Sequence, residues 1–427
     1  MNRPSIAKPH LPSSVAKKFD AVPLLDLHRQ YKSIREEVLA AIERVCSSQQ
    51  FILGAEVEAL ESEMFVFTGV AEAVGCASGT DALWLALLAV GVKPGDVVIT
   101  TAFSFFASVN AIVRTGARPL LVDIDPYTLN IDPAQVEAKL RSAPPRRLRA
   151  LLPVHLYGQC ADMDALQHLA DEFHLPIIED AAQAIGAAWH HRRVGSLGTT
   201  AAFSFYPTKN LSAYGDAGLA TTGNPELAEH MRRLRNHGAS RRYYHDEFGW
   251  NCRMDAIQAA VLRVKLAYLE KWNEQRRGRA ATYHRLFEGA GLSAAYAGSP
   301  LTRDTSSPAK TGLPVRDTPS TSPASSVLPV RLPQSSPHAY HIFHQYVIRA
   351  ERRGELRKFL IGRKIGTEIY YPVPLHLQPC FAYLGYREGD LPGSERAARE
   401  VLALPMFPEL TEDEQKWVVE SIAEFYS

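Results

Sequence analysis

Lys209 stands in AAFSFYPTKNLSAYGDAG, where an apolar run gives way to a proline-bearing turn rich in hydroxyls and glycine. A lysine in such a place loses part of its hydration, which lowers its pKa and suits the amine to forming an imine. Most loop lysines are simply solvated, so the reading depends on what accompanies it. In LPIIEDAAQAIGA, Asp180 closes another apolar run and Gln183 follows three residues later. A carboxylate there faces the crevice beyond the strand ends, although an acid at a strand end also serves as a plain helix cap. SGTDAL sets Ser78, Gly79 and Thr80 at a strand-to-helix turn, where free N–H groups and the helix dipole attract an anion. Ser204, in the run leading to Lys209, offers a further hydroxyl. Phe103, Phe105 and Phe106 offer aromatic faces, most of which core packing would absorb.

Together these are the parts that pyridoxal 5′-phosphate (PLP) chemistry requires: an imine-forming amine, a carboxylate for the pyridine nitrogen, a phosphate cradle and a group against the ring. Lys209, Asp180, the Ser78–Thr80 turn with Ser204, and one of the phenylalanines are the candidates in that order. Gln183 either hydrogen-bonds the ring hydroxyl or stands beside the ring.

Elements that could hold these residues alternate along the chain. Strand-like AEAVGCA, VVIT, RPLLVDID, ALLPVHL, PIIED and AAFSFY are mostly separated by amphipathic helical stretches such as DALWLALLAVG and MDALQHLADEF. That is the pattern of βαβ units, and it predicts an α/β, doubly wound, mainly parallel sheet. Asp132 before Pro133 marks a helix start. A single long helix is expected from about Met254 to Arg279, followed by a change of composition. Residues 297–337 are dense in serine, threonine and proline without periodicity, which predicts a mobile insertion. The expected division is a flexible N-terminus (1–20), a large PLP-binding domain (21–255), and a connecting helix with a small C-terminal domain (256–427) carrying the insertion. RGELRKFLIGR and TEDEQKWVVESIAEF read as helices of that domain.

Lysine plus arginine (47) balance aspartate plus glutamate (46), so no global field draws the chain to nucleic acid or an anionic membrane. No segment reaches the roughly 18 unbroken apolar residues of a membrane span, and MNRPSIAKPHLPSSVAKKF lacks the apolar core of a secretory signal. The five cysteines form no C-x-x-C pair, which argues against a disulfide framework and for a cytoplasmic location. His338, His341 and His344 recur at intervals of three but lack a carboxylate, and a strand turns neighbours to opposite faces, so no metal site is expected. Arg232, Arg233, Arg235, Arg241, Arg242 and Arg253 crowd one region; they either grip a diphosphate or form a solvated face.

The ordered set FILGAEVEALE, CASGTDALWLAL, VDIDPYTLNIDP, VHLYGQCADMDAL, IIEDAAQAIGA, SFYPTKNLSAYGDAG, LRNHG, GWNCRMDAIQAA and YYPVPLHLQPCF resembles the DegT/DnrJ/StrS sugar aminotransferases, within the fold-type I PLP enzymes. The resemblance runs from about Pro23 to near the C-terminus. It implies helices on both faces of the sheet and a smaller C-terminal α+β domain. It makes Lys209 the Schiff-base lysine and proton carrier, Asp180 the partner of the pyridine nitrogen, and Gln183 a neighbour of the ring oxygen. Phe105 would stack on the ring, while Gly79, Thr80 and Ser204 would hold the phosphate. Asn251 would reach the phosphate in a neighbouring subunit, which implies a homodimer with shared active sites. Arg253, Tyr371 and His376 would face the substrate, a nucleotide-linked keto sugar, with glutamate as amino donor. YYPVPLHLQPCF, HLYGQ and EVLALPMFPELTEDE look most like members that aminate C3 in amino-sugar or surface-polysaccharide biosynthesis. Alternatives are a C4 or cyclitol aminotransferase, or a regulatory or binding protein that kept the fold without turnover. A dehydratase branch carries histidine at the lysine position, and Lys209 argues against it. Thr101 departs from the proline common after the VIT strand, which touches only the local backbone.

Overall fold

The computed structural model describes residues 19–142, 147–293 and 328–427. Helices α1 (Leu27–Ser48) and α2 (Ala55–Thr68) lead into β1 (Glu72–Cys76), α3 (Gly79–Ala89), β2 (Val97–Thr101), α4 (Phe106–Arg114) and β3 (Arg118–Val122). Then follow α5 (Pro133–Ser142), β4 (Leu148–Leu152), α6 (Met163–Glu172) and β5 (Ile178–Asp180). A hairpin of β6 (Ala188–Trp189) and β7 (Arg192–Arg193) precedes β8 (Thr200–Ser204), β9 (Gly218–Thr222) and α7 (Pro225–Leu234). A second hairpin, β10 (Ala239–Arg241) and β11 (Tyr244–His245), leads to α8 (Ala256–Leu266) and α9 (Leu269–Gly289). The last part contains β12 (Val330–Arg331), β13 (Ala339–Tyr340), β14 (Tyr346–Ala350), α10 (Arg353–Gly362), α11 (Pro392–Glu400), β15 (Val401–Leu404) and α12 (Glu412–Tyr426).

The main sheet forms as the alternation predicts. β2 pairs in parallel with β3 and β4, and β5 with β8. Parallel bridges Leu151–Ile177 and Val154–Asp180 join the two groups. β9 runs antiparallel between β8 and β1. The described order is therefore β3-β2-β4-β5-β8-β9-β1, with β9 alone reversed. A sheet covered on both faces needs apolar residues throughout, and Ala201, Ala202, Ala220 and Leu219 are buried along β8 and β9. Ala202 and Ala220 lie on the α3 side, and their small size lets the helix lie close. Every residue from Ala82 to Leu87 in α3 is buried, because the helix sits between the sheet, α4 and α7. Ser78 caps it, its Oγ accepting from the Asp81 N–H at 3.1 Å. Asp132 starts α5 as expected, accepting from the Ala134 N–H at 2.9 Å.

The expected single helix over 254–279 is two helices, interrupted at Ala267–Tyr268. α8 packs Ala256, Ala260 and Val261 against Ala41, Val45, Ile34 and Val38 of α1, whereas α9 carries Tyr283 and Phe287 into a different core. The apolar period continues across the break, so the change of direction leaves no mark in the pattern. The second core takes up the later part of α9, from Ala280 on. It is completed by the antiparallel strands β12, β14 and β15 with α10 and α12. Residues 22–24 join it as well: Val22 bridges Ile365, and the Leu24 carbonyl accepts from the Met406 N–H at 3.1 Å.

Most of the insertion expected at 297–337 lies outside the described residues. Its end, 328–337, is held: Val330 is buried in β12, and the Gln159 side chain bonds the Gln334 carbonyl and the Ser336 N–H. Serine and proline set the composition of this end, but one buried valine and a distant glutamine decide its placement.

Candidate active site

The carboxyl ends of β5 and β8 lie side by side, with Asp180 opposite Ala202. Beyond β8 the chain turns through Pro207, and the Lys209 N–H donates to the Tyr206 carbonyl at 2.8 Å. Lys209 is half-buried, and loss of water around its amine lowers its pKa to about 8, although the Asp180 charge pulls the other way. Asp180 is 3% exposed. The residues that follow it form turns, so it caps no helix. Burial pushes its carboxyl above the ordinary range, opposed by hydrogen bonds from the Ser108 hydroxyl (2.7 Å) and the Ala182 N–H (3.2 Å) and by the Lys209 charge. Behind it, the His155 ring accepts the Ala161 N–H at Nδ1, so Nε2 carries the proton toward Glu179 at 3.0 Å.

Gly79 and Thr80 open α3, and first-turn N–H groups have no partner within a helix. A Cβ on Gly79 would stand 2.5 Å from that of Ser204, and one on Gly218 would overlap the Ser78 carbonyl. The two glycines therefore let the helix N-terminus meet the ends of β8 and β9. Ser204, half-buried, borders this concave turn.

Of the three phenylalanines, Phe103 is core and Phe106 stacks on Phe381 at 5.3 Å. Phe105 is 56% exposed and faces the Tyr371 ring at 6.1 Å. Gln183 accepts from the Tyr157 N–H at 2.7 Å and donates to the Tyr371 hydroxyl at 3.0 Å. Burial raises the Tyr371 pKa, so this phenol stays protonated. Tyr371 is seated by the following segment, where the Leu375 N–H donates to the Ala102 carbonyl at the end of β2 (2.7 Å).

The structure thus gathers Lys209 and Asp180, places Gly79 against Ser204, and joins Gln183, Tyr371 and Phe105. His376 is placed differently: it is buried, with Nε2 3.1 Å from Glu395, and secures the segment below Tyr371. Asn251 is exposed and pairs by backbone with Asn236, whose side chain accepts from Arg253 at 3.1 Å. Arg232, Arg233 and Arg235 are taken up by Glu72, Glu247 and Glu61. Arg241 and Arg242 lie over Tyr244 and Tyr243 on the exposed β10–β11 hairpin. Residues not foreseen are Ser104 and Ser108, beside Asp180, and Asn210, next to Lys209, whose side chain pairs with the His344 ring (2.9 Å) and donates to the Asn273 side chain (2.7 Å). No metal-binding group of three or more His, Cys, Asp or Glu occurs among the described residues, and no described helix is long and apolar enough to cross a membrane.

A sheet of this order, with lysine and buried acid at neighbouring strand ends and a helix N-terminus alongside, is that of a fold-type I PLP-dependent transferase. The model of the DegT/DnrJ/EryC1/StrS aminotransferase family matches residues 32–315 and 323–423, and the chain belongs to that family. It is 49% identical over 405 residues to a pleiotropic regulatory protein of Geobacillus stearothermophilus, covering 95% of this chain and 98% of the relative. It is 43% identical over 404 residues to dTDP-3-amino-3,4,6-trideoxy-alpha-D-glucose transaminase of Streptomyces venezuelae, covering 95% and 96%. The crystal structure of S. venezuelae DesV in complex with a ketimine intermediate superposes with a TM-score of 0.83 at 42% identity, covering 95% and 98%.

Proposed function

We propose that this chain is a PLP-dependent aminotransferase that moves an amino group from glutamate to C3 of a nucleotide-linked keto sugar, as a cytoplasmic homodimer with shared sites. The observation that carries the reading is the pair Lys209 and Asp180 beyond the ends of β8 and β5, beside the Gly79–Ser204 contact. The donor set fits the cofactor: an amine freed of water, a buried carboxylate, and a cradle that a Cβ would fill. Similarity to a transaminase named for a 3-amino sugar supports the regiochemistry.

Bound there, PLP supplies a carbonyl carbon for imine exchange and a ring that accepts electrons. Lys209 would anchor it and, with its amine freed, would serve as the base that moves a proton between the substrate carbon and the cofactor's imine carbon, in one direction for the donor and in the other for the acceptor. Its lowered pKa leaves a useful share of free amine near neutral pH. Asp180 holds a proton on the ring nitrogen. Gly79, Thr80 and Ser204 bind the phosphate, Phe105 covers the ring, and Gln183, oriented by Tyr157 and Tyr371, serves the ring oxygen. The partner subunit's Asn251 completes the phosphate site. Tyr371 lies on the substrate side, and Arg253, with Arg241 and Arg242, meets the diphosphate, since the other three arginines are engaged by carboxylates.

The name of the 49% identical relative favours a second reading, a regulator without turnover. Intact Lys209, Asp180 and Gln183 weigh against it. The purified protein, loaded with PLP, is tested with glutamate and then with nucleotide-linked 3-keto and 4-keto sugars. The expected result is loss of the long-wavelength cofactor band with glutamate and its recovery with a 3-keto sugar. A protein that ignores PLP sinks the enzyme reading; recovery with 4-keto sugars alone sinks the C3 assignment.

A further inference from the structure

Ser108 sits in the first turn of α4 and is buried to 1% exposure; Ser104, four residues earlier, is at 4%. A serine in a helix usually turns its hydroxyl back to a carbonyl of the preceding turn. Ser108 instead donates to Asp180 Oδ2 at 2.7 Å, across 72 residues of sequence, and Ser104 Oγ lies 2.8 Å from Ser108 Oγ. An ionised carboxylate only accepts, and a hydroxyl has one proton to give. The protons therefore run in one direction: Ser104 donates to Ser108, and Ser108 donates to Asp180. In a buried site each bond of such a chain polarises the next.

We propose that Ser108 is a positioning residue for Asp180, and that Ser104 and Ser108 form a two-hydroxyl relay that fixes the direction and charge of that carboxylate. The relay rests on the assignment of Asp180 to the cofactor's ring nitrogen. Two donors reach Asp180, Ser108 and the Ala182 N–H, one on each oxygen. The titratable groups facing it are Lys209, whose charge favours its own, His155, whose ring nitrogens are engaged by the Ala161 N–H and by Glu179, and Tyr371. Burial works against that charge, so removal of the Ser108 hydroxyl leaves Oδ2 without its donor where the carboxylate most needs one.

The test compares wild type with Ser108→Ala, Ser108→Thr and Ser104→Ala. PLP affinity of the apoprotein is measured by fluorescence titration, and the pH midpoint of the bound cofactor's absorbance by spectrophotometry. Loss of a hydrogen bond to a charged group corresponds to roughly a ten- to hundredfold weaker binding. Ser108→Ala is expected to show that loss with a displaced midpoint, Ser104→Ala a smaller change in the same direction, and Ser108→Thr recovery. A Ser108→Ala protein with the wild-type melting curve, affinity and midpoint overturns the relay. Should Ser108→Ala fail to fold, a Ser104→Ala protein identical to wild type in both measurements overturns it equally. A wild-type protein that takes up no PLP brings down the cofactor assignment together with the relay, whereas a PLP-binding wild type with unaltered variants brings down the relay alone.

Discussion

Lys209 owes its lowered pKa to water removed around it, against the pull of Asp180. The rate at which PLP becomes fixed to the apoprotein by borohydride should therefore rise with pH to a midpoint near 8, where an ordinary lysine would give 10.5. Asp180→Asn removes the opposing charge and should move that midpoint lower; an unchanged or higher midpoint would show that the carboxylate does not sense the amine. Lys265 presents a related case without a carboxylate. Its ammonium is buried, donates to the Ser212 carbonyl (2.8 Å) and hydroxyl (2.7 Å), and lies 4.8 Å over the Tyr214 ring. Burial lowers it to about 8 from 10.5, so between those values the unfolded chain holds the extra proton and stability rises with pH. Thermal melts should show that rise flattened in Lys265→Met. Lys209 and Asp180 could be singled out in the sequence because each lies at or shortly beyond the end of a strand-like run. Ser108 could not be, since a serine near a helix start reads as local, and its partner lies in β5, 72 residues away. The arginine run likewise could not reveal that Glu61, Glu72 and Glu247 neutralise half of it.

At the scale of elements, the close approach of α3 to β8 and β9 depends on two residues without side chains. Gly218→Ala would force a methyl group into the Ser78 carbonyl, so either β9 or the helix N-terminus must shift. The expected outcome is loss of PLP affinity together with a destabilisation of about 1–3 kcal/mol, the usual cost of overpacking; denaturant titration and cofactor binding check the two parts. A variant with wild-type values for both would mean that the turn has slack. The Ser78–Thr80 turn could be read in advance because cap, glycine and apolar run are contiguous. The break at Ala267–Tyr268 could not, because α8 and the start of α9 share their cores, through Leu262 with Leu269 and Val261 with Trp272, and only the later part of α9 enters the second one. Nor could the sequence show the direction of His376: its segment faces the site at Tyr371, and a few residues on the chain has turned inward to Glu395.

For the whole molecule, the proposed homodimer can be tested by complementation. Lys209→Ala should lose at least about 10²–10⁴-fold in activity, and an Asn251→Asp variant should be impaired by repulsion of the phosphate. If Asn251 serves the neighbouring subunit, mixing the two after dissociation yields heterodimers with one native site each, and roughly a quarter of wild-type activity returns. If Asn251 serves its own chain, nothing returns. Alternation of strands and helices was enough to foresee the central sheet, since each βαβ unit is local. The second core was only partly foreseeable, because it draws on segments hundreds of residues apart.

That last property bears on how the protein is made. Val22 bridges Ile365, and Leu24 receives Met406, so the segment at 22–24 finds its place only after residues near 406 exist. On the ribosome the strands from β1 to β9 can pair while synthesis continues, yet the early segment must wait through nearly four hundred codons for its seat. Contacts of such long range form slowly and leave apolar surface uncovered meanwhile. Chaperone dependence during translation should accordingly concentrate on nascent chains that have passed β9 but not yet reached β15.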